Sequence, residues 1–173
     1  QTSGWGATLA YTYTDAKENR QFGESYALHH ATLAGYGWSK SGGVSPHRLV
    51  LSGIYDAPLG ITLSSKLVLA TQAPRYGTNC VPGWDRCIEQ AQYTPGGTLG
   101  YKRFDLAAKK KFQVWNDMRI RVRADVLNLF DWVNYGGYDD WFGGAGDPSP
   151  TLGMPNSQLL PTRTIKLTVG LDW

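Results

Sequence analysis

From Met118 to Phe130 the chain reads MRIRVRADVLNLF. Met118, Ile120, Val122, Ala124 and Val126 are apolar; Arg119, Arg121, Arg123 and Asp125 between them are charged. This period-two alternation puts successive side chains on opposite faces of a β-strand, whereas a helix would spread the charges around its circumference. Thr162 to Trp173 alternates in the same way, and so does Gly4 to Thr14, where Trp5, Ala7, Leu9, Tyr11 and Tyr13 share one face. His47 to Ala57 and Ile61 to Thr71 make a hairpin around Pro58-Leu59-Gly60, a turn in which Pro fixes φ and Gly permits φ > 0. Lys102 to Val114 is the sixth strand. Phe104, Leu106, Ala108, Phe112 and Val114 share its apolar parity, Lys110 breaks it, and LAAKKKF by itself has helical propensity. Trp115-Asn116-Asp117 is a short turn, and a short helix around Glu24 to Leu33 is compatible with the sequence.

The connections alternate long, short, long, short, long. The long ones, 15–45, 72–101 and 131–160, run to about thirty residues, well beyond the roughly 15 that a soluble domain usually tolerates without structure. A soluble sandwich would pack the apolar faces on a second sheet. An outer-membrane barrel would turn them to lipid and the charged faces to a wet lumen, with short periplasmic turns and long external loops. Strands of about 11–13 residues match the roughly 9–11 needed to cross a bilayer at a tilt. In that barrel the first strand runs outward and the last inward. Trp5, Trp115 and Trp173 then fall near the periplasmic rim, and Tyr11, Tyr13 and Phe130 near the outer rim. The expected fold class is therefore all-β, an antiparallel transmembrane barrel segment.

Composition adds limits. The chain has 173 residues, enough for one domain, and a mean hydropathy of −0.34. No run approaches the roughly 18 apolar residues of a membrane helix, which excludes helical spans only. Seven Trp, ten Tyr and 21 Gly suit aromatic belts and glycine-rich loops. A net charge of +3 gives no argument for nucleic acid. Cys80 and Cys87 are the only cysteines, and in an exported chain they are expected to close a local disulfide. No signal peptide is visible at Gln1.

The run from Arg121 to Tyr135, RVRADVLNLFDWVNY, resembles the D-x-x-N-L-F-(N/D)-x-x-N segment near the end of TonB-dependent outer-membrane receptors. PHRLVLSG at Pro46 to Gly53 is similar to an inward strand of that family. Phe104-Asp105-Leu106 with Lys111-Phe112 resembles its D-L-x-x-x-K-x-F strand, and Pro161-Thr162-Arg163 before an alternating strand resembles its terminus. The family more often ends in Phe, so Trp173 departs from it. The resemblance covers nearly the whole chain. It implies an importer of a scarce solute, of the siderophore, cobalamin, sugar or peptide class, in the outer membrane of a Gram-negative bacterium. Such receptors have barrels of about 22 strands around a plug. Six strands cannot close, since single-chain bacterial barrels start at eight. Residues 1–173 are accordingly expected to be the C-terminal piece of a receptor barrel, without its plug domain. The expected partners are outer-membrane lipid, the plug and remaining strands, the TonB system through the missing N-terminal part, and a small-molecule ligand. Trp173 is expected to serve as an assembly signal. A non-transporting barrel or adhesin, and a soluble carbohydrate-binding β-sandwich, are the alternatives.

Candidate sites follow. Arg119, Arg121, Arg123 and Asp125 are lumen-facing candidates. The plain reading pairs the arginines with acids on neighbouring strands such as Asp105; the functional one has them meet an anionic ligand or the plug. Trp132, Tyr135, Tyr138, Trp141 and Phe142 either stack on a sugar or aromatic ligand or pack within their own loop. Glu24, His29, His30 and His47 lack metal-ligand spacing, as do Asp131, Asp139, Asp140 and Asp147, and both groups read as loop polar residues. No nucleophile elbow, P-loop or dinucleotide fingerprint is present. Neither enzymatic activity nor a cofactor is expected.

Overall fold

A computed structural model describes residues 4–19, 37–79, 89–144, 147–159 and 162–173. The expected helix around 24–33 and both cysteines lie outside these residues. Six strands build one antiparallel sheet: β1 (Trp5–Tyr13), β4 (His47–Ala57), β5 (Ile61–Thr71), β8 (Leu99–Trp115), β9 (Met118–Leu127) and β14 (Thr164–Asp172), in the order β1-β4-β5-β8-β9-β14. Every neighbour in the sheet is the next of these strands along the chain.

The hairpin turns gather at one end. Residues 58–60 join β4 to β5, and Asn116-Asp117 join β8 to β9. Positive φ falls on Leu59 (66°) as well as on Gly60 (70°), so the tight reversal costs a non-glycine residue strain that Pro58 alone does not relieve. Asn116, at φ 42°, takes the left-handed position that Asn tolerates better than most residues.

The long connections leave from the opposite end, and they are not structureless. The first carries a short ladder of β2 (Lys17–Glu18) with β3 (Ser39–Lys40). The second carries a hairpin of β6 (Arg75–Asn79) with β7 (Glu89–Tyr93). The third carries β10 (Tyr135–Tyr138) paired with β13 (Pro155–Gln158), and β11 (Gly143–Gly144) paired with β12 (Asp147–Pro148). Polar, glycine-rich composition hid these ladders, because segments such as RYGTN, EQAQY, YGGY and PNSQ carry no apolar alternation. Two boundaries also move. β8 begins at Leu99 and has 17 residues, so LAAKKKF is strand, its helical propensity overridden by pairing on both sides. β9 stops at Leu127, which takes Phe130 out of the strand.

Register sorts the side chains. Residues paired across antiparallel strands share a face. One face collects Trp5, Leu9 and Tyr11 of β1, Leu49 and Leu51 of β4, Leu63, Leu67 and Leu69 of β5, Phe104 and Leu106 of β8, Ile120 and Val122 of β9, and Leu167 and Val169 of β14. None of these residues is buried; those of the central strands are half-buried by their neighbours, and toward the sheet edges Trp5 keeps 80% of its surface, Leu167 73% and Trp173 91%. A register shift between Gln113 and Trp115 sets Trp115 opposite Met118, on this same face. The buried apolar residues, Val68, Ala70 and Ala107, belong to the other face, with the charges. Among the described residues nothing covers the apolar face.

Candidate functional site

The charged face is built by β8, β9 and β14. Arg119, Arg121, Arg123 and Asp125 occupy alternate positions of β9, so the pleat puts all four on one side of the sheet. On β8 they stand opposite Gln113, Lys111, Lys109 and Ala107; on β14, opposite Asp172, Gly170, Thr168 and Lys166. The ion pairs meet the expectation in part: one arginine finds an acid on a neighbouring strand, but that acid is not Asp105. Arg123 makes a bidentate contact with Asp125, two positions along its own strand, at 2.6–3.0 Å. Arg121 reaches Asp172 at 3.3 Å, and Lys111 shares that carboxylate at 3.2 Å. Asp105 takes no β9 arginine. It binds Arg103 at 2.7 Å, repeating on β8 the Arg-x-Asp spacing of Arg123 and Asp125, and accepts a hydrogen bond from the Asn128 N–H at 2.9 Å.

At the loop end β9 leaves the sheet, and side chains replace its backbone. Asn128, 4% exposed and at φ 54°, accepts from the Trp132 N–H and donates to the Trp132 carbonyl. Asn134, also buried, accepts from the Lys102 N–H at 2.7 Å and donates to the Lys102 carbonyl at 2.9 Å, so its amide stands in for the peptide of a neighbouring strand along β8. Asp131 accepts from the Arg163 N–H at 2.7 Å and ties the start of β14 to the same corner. These polar groups fall on the fixed letters of the stretch that carries the resemblance. Asn128 and Asn134 escape a reading by spacing because their partners are backbone groups, and Asp131, grouped by sequence with the loop carboxylates, likewise serves a backbone N–H. The signal that was available is Asn in a turn, where a left-handed residue is needed.

The five loop aromatics do not form one platform. Trp132 packs on Phe130 at 5.0 Å between ring centres, Phe130 stacks on Phe104 at 5.3 Å, and the Lys102 ammonium lies 5.8 Å over the Trp132 ring. Tyr135 and Tyr138 meet edge to face and line a cleft of about 370 Å³ with Gln72, Leu99, Val133 and Met154. The Arg75 guanidinium sits 4.6 Å over the Tyr138 ring, and its buried Nε has no hydrogen-bond partner. Phe142 meets Tyr93 edge to face, and its ring fills the space a Cβ on Gly77 would need. Trp141 is exposed.

The loop carboxylates are structural. Asp139 accepts from the Trp141 N–H at 3.1 Å and from the Thr151 hydroxyl, and these bonds hold its carboxyl below the usual aspartate range. Burial pushes the Tyr93 hydroxyl up, and that hydroxyl donates to the Asp139 carbonyl at 3.1 Å. His29, His30 and Glu24 lie outside the described residues. His47 has its Nδ1 at 2.8 Å from the Tyr11 hydroxyl, and among the described residues no three His, Cys, Asp or Glu side chains converge as a metal site would require. The chain matches no family model, no curated protein sequence and no solved structure.

Proposed function

We propose that the chain is an arc of an outer-membrane transport barrel, of the TonB-dependent receptor kind that its sequence resembles, and that it helps to import a scarce solute. The observation that carries this reading is the predominantly apolar face of six strands, which no second layer covers among the described residues and which exposed aromatics edge. In water such a face is an aggregation liability. In a bilayer it is the surface the lipid requires.

Three features support it. Trp5, Trp115 and Trp173 edge the apolar face at the turn end, and Tyr11 and Tyr13 edge it at the loop end, as interfacial belts do. Two lysines stand on that face and each lies over an aromatic ring: Lys110, level with Ile61 at the end of β5 and with Val122 of β9, reaches over the Phe112 ring at 5.0 Å, and Lys102, toward the loop end, reaches over Trp132. Both short turns of the six-stranded sheet share one end, which this reading makes periplasmic. Arg119, Arg121, Arg123 and Asp125 then line the lumen, and Trp173 closes the periplasmic rim as an assembly signal. β1 and β14 each have an unpaired edge in the sheet, which lipid forbids. Further strands of the barrel, around a plug, satisfy those edges.

The test is in two parts. In native membranes the protein should resist carbonate extraction, and brominated lipids should quench its tryptophans. Cells lacking it should lose the energy-dependent accumulation of one solute among ferric siderophores, cobalamin, oligosaccharides and peptides. Release by carbonate without quenching would sink the membrane reading. Full retention of uptake across the panel would sink the transport reading alone.

A further inference from the structure

We infer that the turn end of the charged face seats a compact multivalent anion, a phosphate-bearing or polycarboxylate solute. This deepens the transport reading and rests on it for its biological sense, since it names the class of solute that meets the barrel wall.

Cross-strand register carries the argument. Lys109 stands directly opposite Arg123, and Lys111 directly opposite Arg121. Like charges in such positions destabilise a sheet, whereas opposite charges support it. The two pairs are neighbours on the same face, so four cationic side chains rise from a rectangle of about 5 by 7 Å. Arg119 and Lys166 extend the block on either side. Its acids are Asp125 and Asp172, so six cations face two carboxylates on β8, β9 and β14, an excess of four positive charges.

The carboxylates do not cover the excess. Asp125 is taken by Arg123, and Asp172 is divided between Lys111 and Arg121. Lys109 makes no ion pair among the described residues; Arg119, opposite Asp172, and Lys166, opposite Asp125, face those carboxylates without a direct ion pair, and a guanidinium offers five donors, of which Arg121 uses few. Arg121 also lies flat on β14 because Gly170 is there: a Cβ would stand 3.1 Å from its Nη2 and 3.3 Å from its Nε. Thr168 of β14, opposite Arg123, adds a hydroxyl donor at one edge, whereas the Thr62 hydroxyl of β5, opposite Lys109, is donated to the Asp56 carboxylate at 2.9 Å.

A compact anion fits this geometry better than an acidic polypeptide. An extended segment presents carboxylates in one line, about 7 Å apart, and relieves one row of the ladder. Repulsion across the strands is relieved by charge placed between them, which one small polyvalent anion supplies to all four cations. A wall of one sign also raises the local concentration of such solutes.

The experiment titrates the detergent-solubilised protein with pyrophosphate, with tricarballylate and with hexaglutamate, by calorimetry at two salt concentrations. Pyrophosphate or tricarballylate should bind saturably, with a Kd below about 1 mM that weakens with salt. The double variant Lys109→Gln/Arg121→Gln should weaken binding about tenfold or more, and Lys66→Gln, outside the block, less than about twofold. The double variant removes a member of each like-charge pair, so its urea midpoint should not fall. A fallen midpoint would overturn the repulsion argument and the seat built on it. Absence of saturable binding, or equal loss in Lys66→Gln, would overturn the proposal. Hexaglutamate binding tenfold tighter than either small anion would replace it with an acidic polypeptide surface. Anion binding without lipid quenching would sink the membrane reading and leave the seat standing; quenching without anion binding would do the reverse.

Discussion

Leu167 and Thr168 are adjacent on β14 and point to opposite faces of the sheet. Leu167 stands opposite Ala124 on the apolar face, and Thr168 opposite Arg123 on the charged face. Arginine placed at each position changes the same strand by the same side chain, so strand propensity cancels between the two variants. β14 has nine residues, Thr164 to Asp172, with Thr168 at its centre. At about 3.3 Å per residue and a tilt of about 40°, Leu167 lies within roughly 3 Å of the mid-membrane plane. It is 73% exposed, so no protein group would solvate the new charge. The full mid-membrane cost of about 2–4 kcal/mol then applies to Leu167→Arg, which is roughly 30-fold to several hundredfold in the folding equilibrium. Thr168→Arg meets water and two like-charged neighbours, Arg123 opposite and Lys166 on the same face of its own strand, a cost of about 1 kcal/mol. The assay is urea titration of the membrane-assembled protein in lipid vesicles, with folded yield as the second readout. Equal losses, or a larger loss at Thr168, would refute both the facing assignment and the bilayer reading. A soluble sandwich would also penalise Leu167→Arg, so Leu167→Trp and Thr168→Trp complete the test. Brominated lipid should quench the first and spare the second.

Three further outcomes are expected. Asn128→Ala should lower stability by roughly 2–4 kcal/mol in the same titration, because it orphans the Trp132 N–H and carbonyl and leaves alanine at φ 54°; a loss under about 0.5 kcal/mol would contradict this. The Asp139 carboxyl is held below its ordinary value of 3.8, so its stabilising contribution is present above that value and is lost as pH falls through its folded value. Amide exchange at Trp141 and Thr151 should therefore quicken below about pH 4, and Asp139→Asn should remove that pH dependence; a variant that keeps the same profile would rule Asp139 out. Trp173→Phe should leave surface abundance unchanged while deletion of Trp173 lowers it, and equal abundance after deletion would remove its role in assembly.

The sheet was legible because alternation survives wherever one face is apolar and the other polar. All six of its strands and both turns could be read that way. Strand ends were less legible. β9 stops at Leu127 although the apolar parity leads on toward Phe130, since Asn128 takes a left-handed conformation that periodicity does not see. The loop ladders were invisible for a related reason: β6, β7, β10 and β13 pair through backbone groups, and their sequences carry no apolar alternation. An acid on a neighbouring strand does meet Arg121, but which acid it is depends on register, which spacing does not display. Asp105 is level with Leu127 and Lys66 rather than with an arginine of β9, so it turns to Arg103 on its own strand.

The two faces of the sheet obey different rules, and register ties them together. A one-residue slip of β9 against β8 would bring its arginines to the apolar face and its valines to the charged one. The apolar face resists that slip only in a medium that excludes charge. The charged face does not resist it by itself, since Lys109 and Lys111 repel Arg123 and Arg121 in the register that exists. Some other restraint has to hold β9 in place, and the asparagine corner supplies it. Asn128 binds Trp132, its own N–H binds Asp105 of β8, and Asn134 binds both backbone groups of Lys102. These bonds fix β9 to β8 at the loop end, in the one alignment that leaves the arginines opposite the lysines. A chain that accepts this repulsion while anchoring it with buried amides is keeping its cations together, and the anion seat follows from that arrangement.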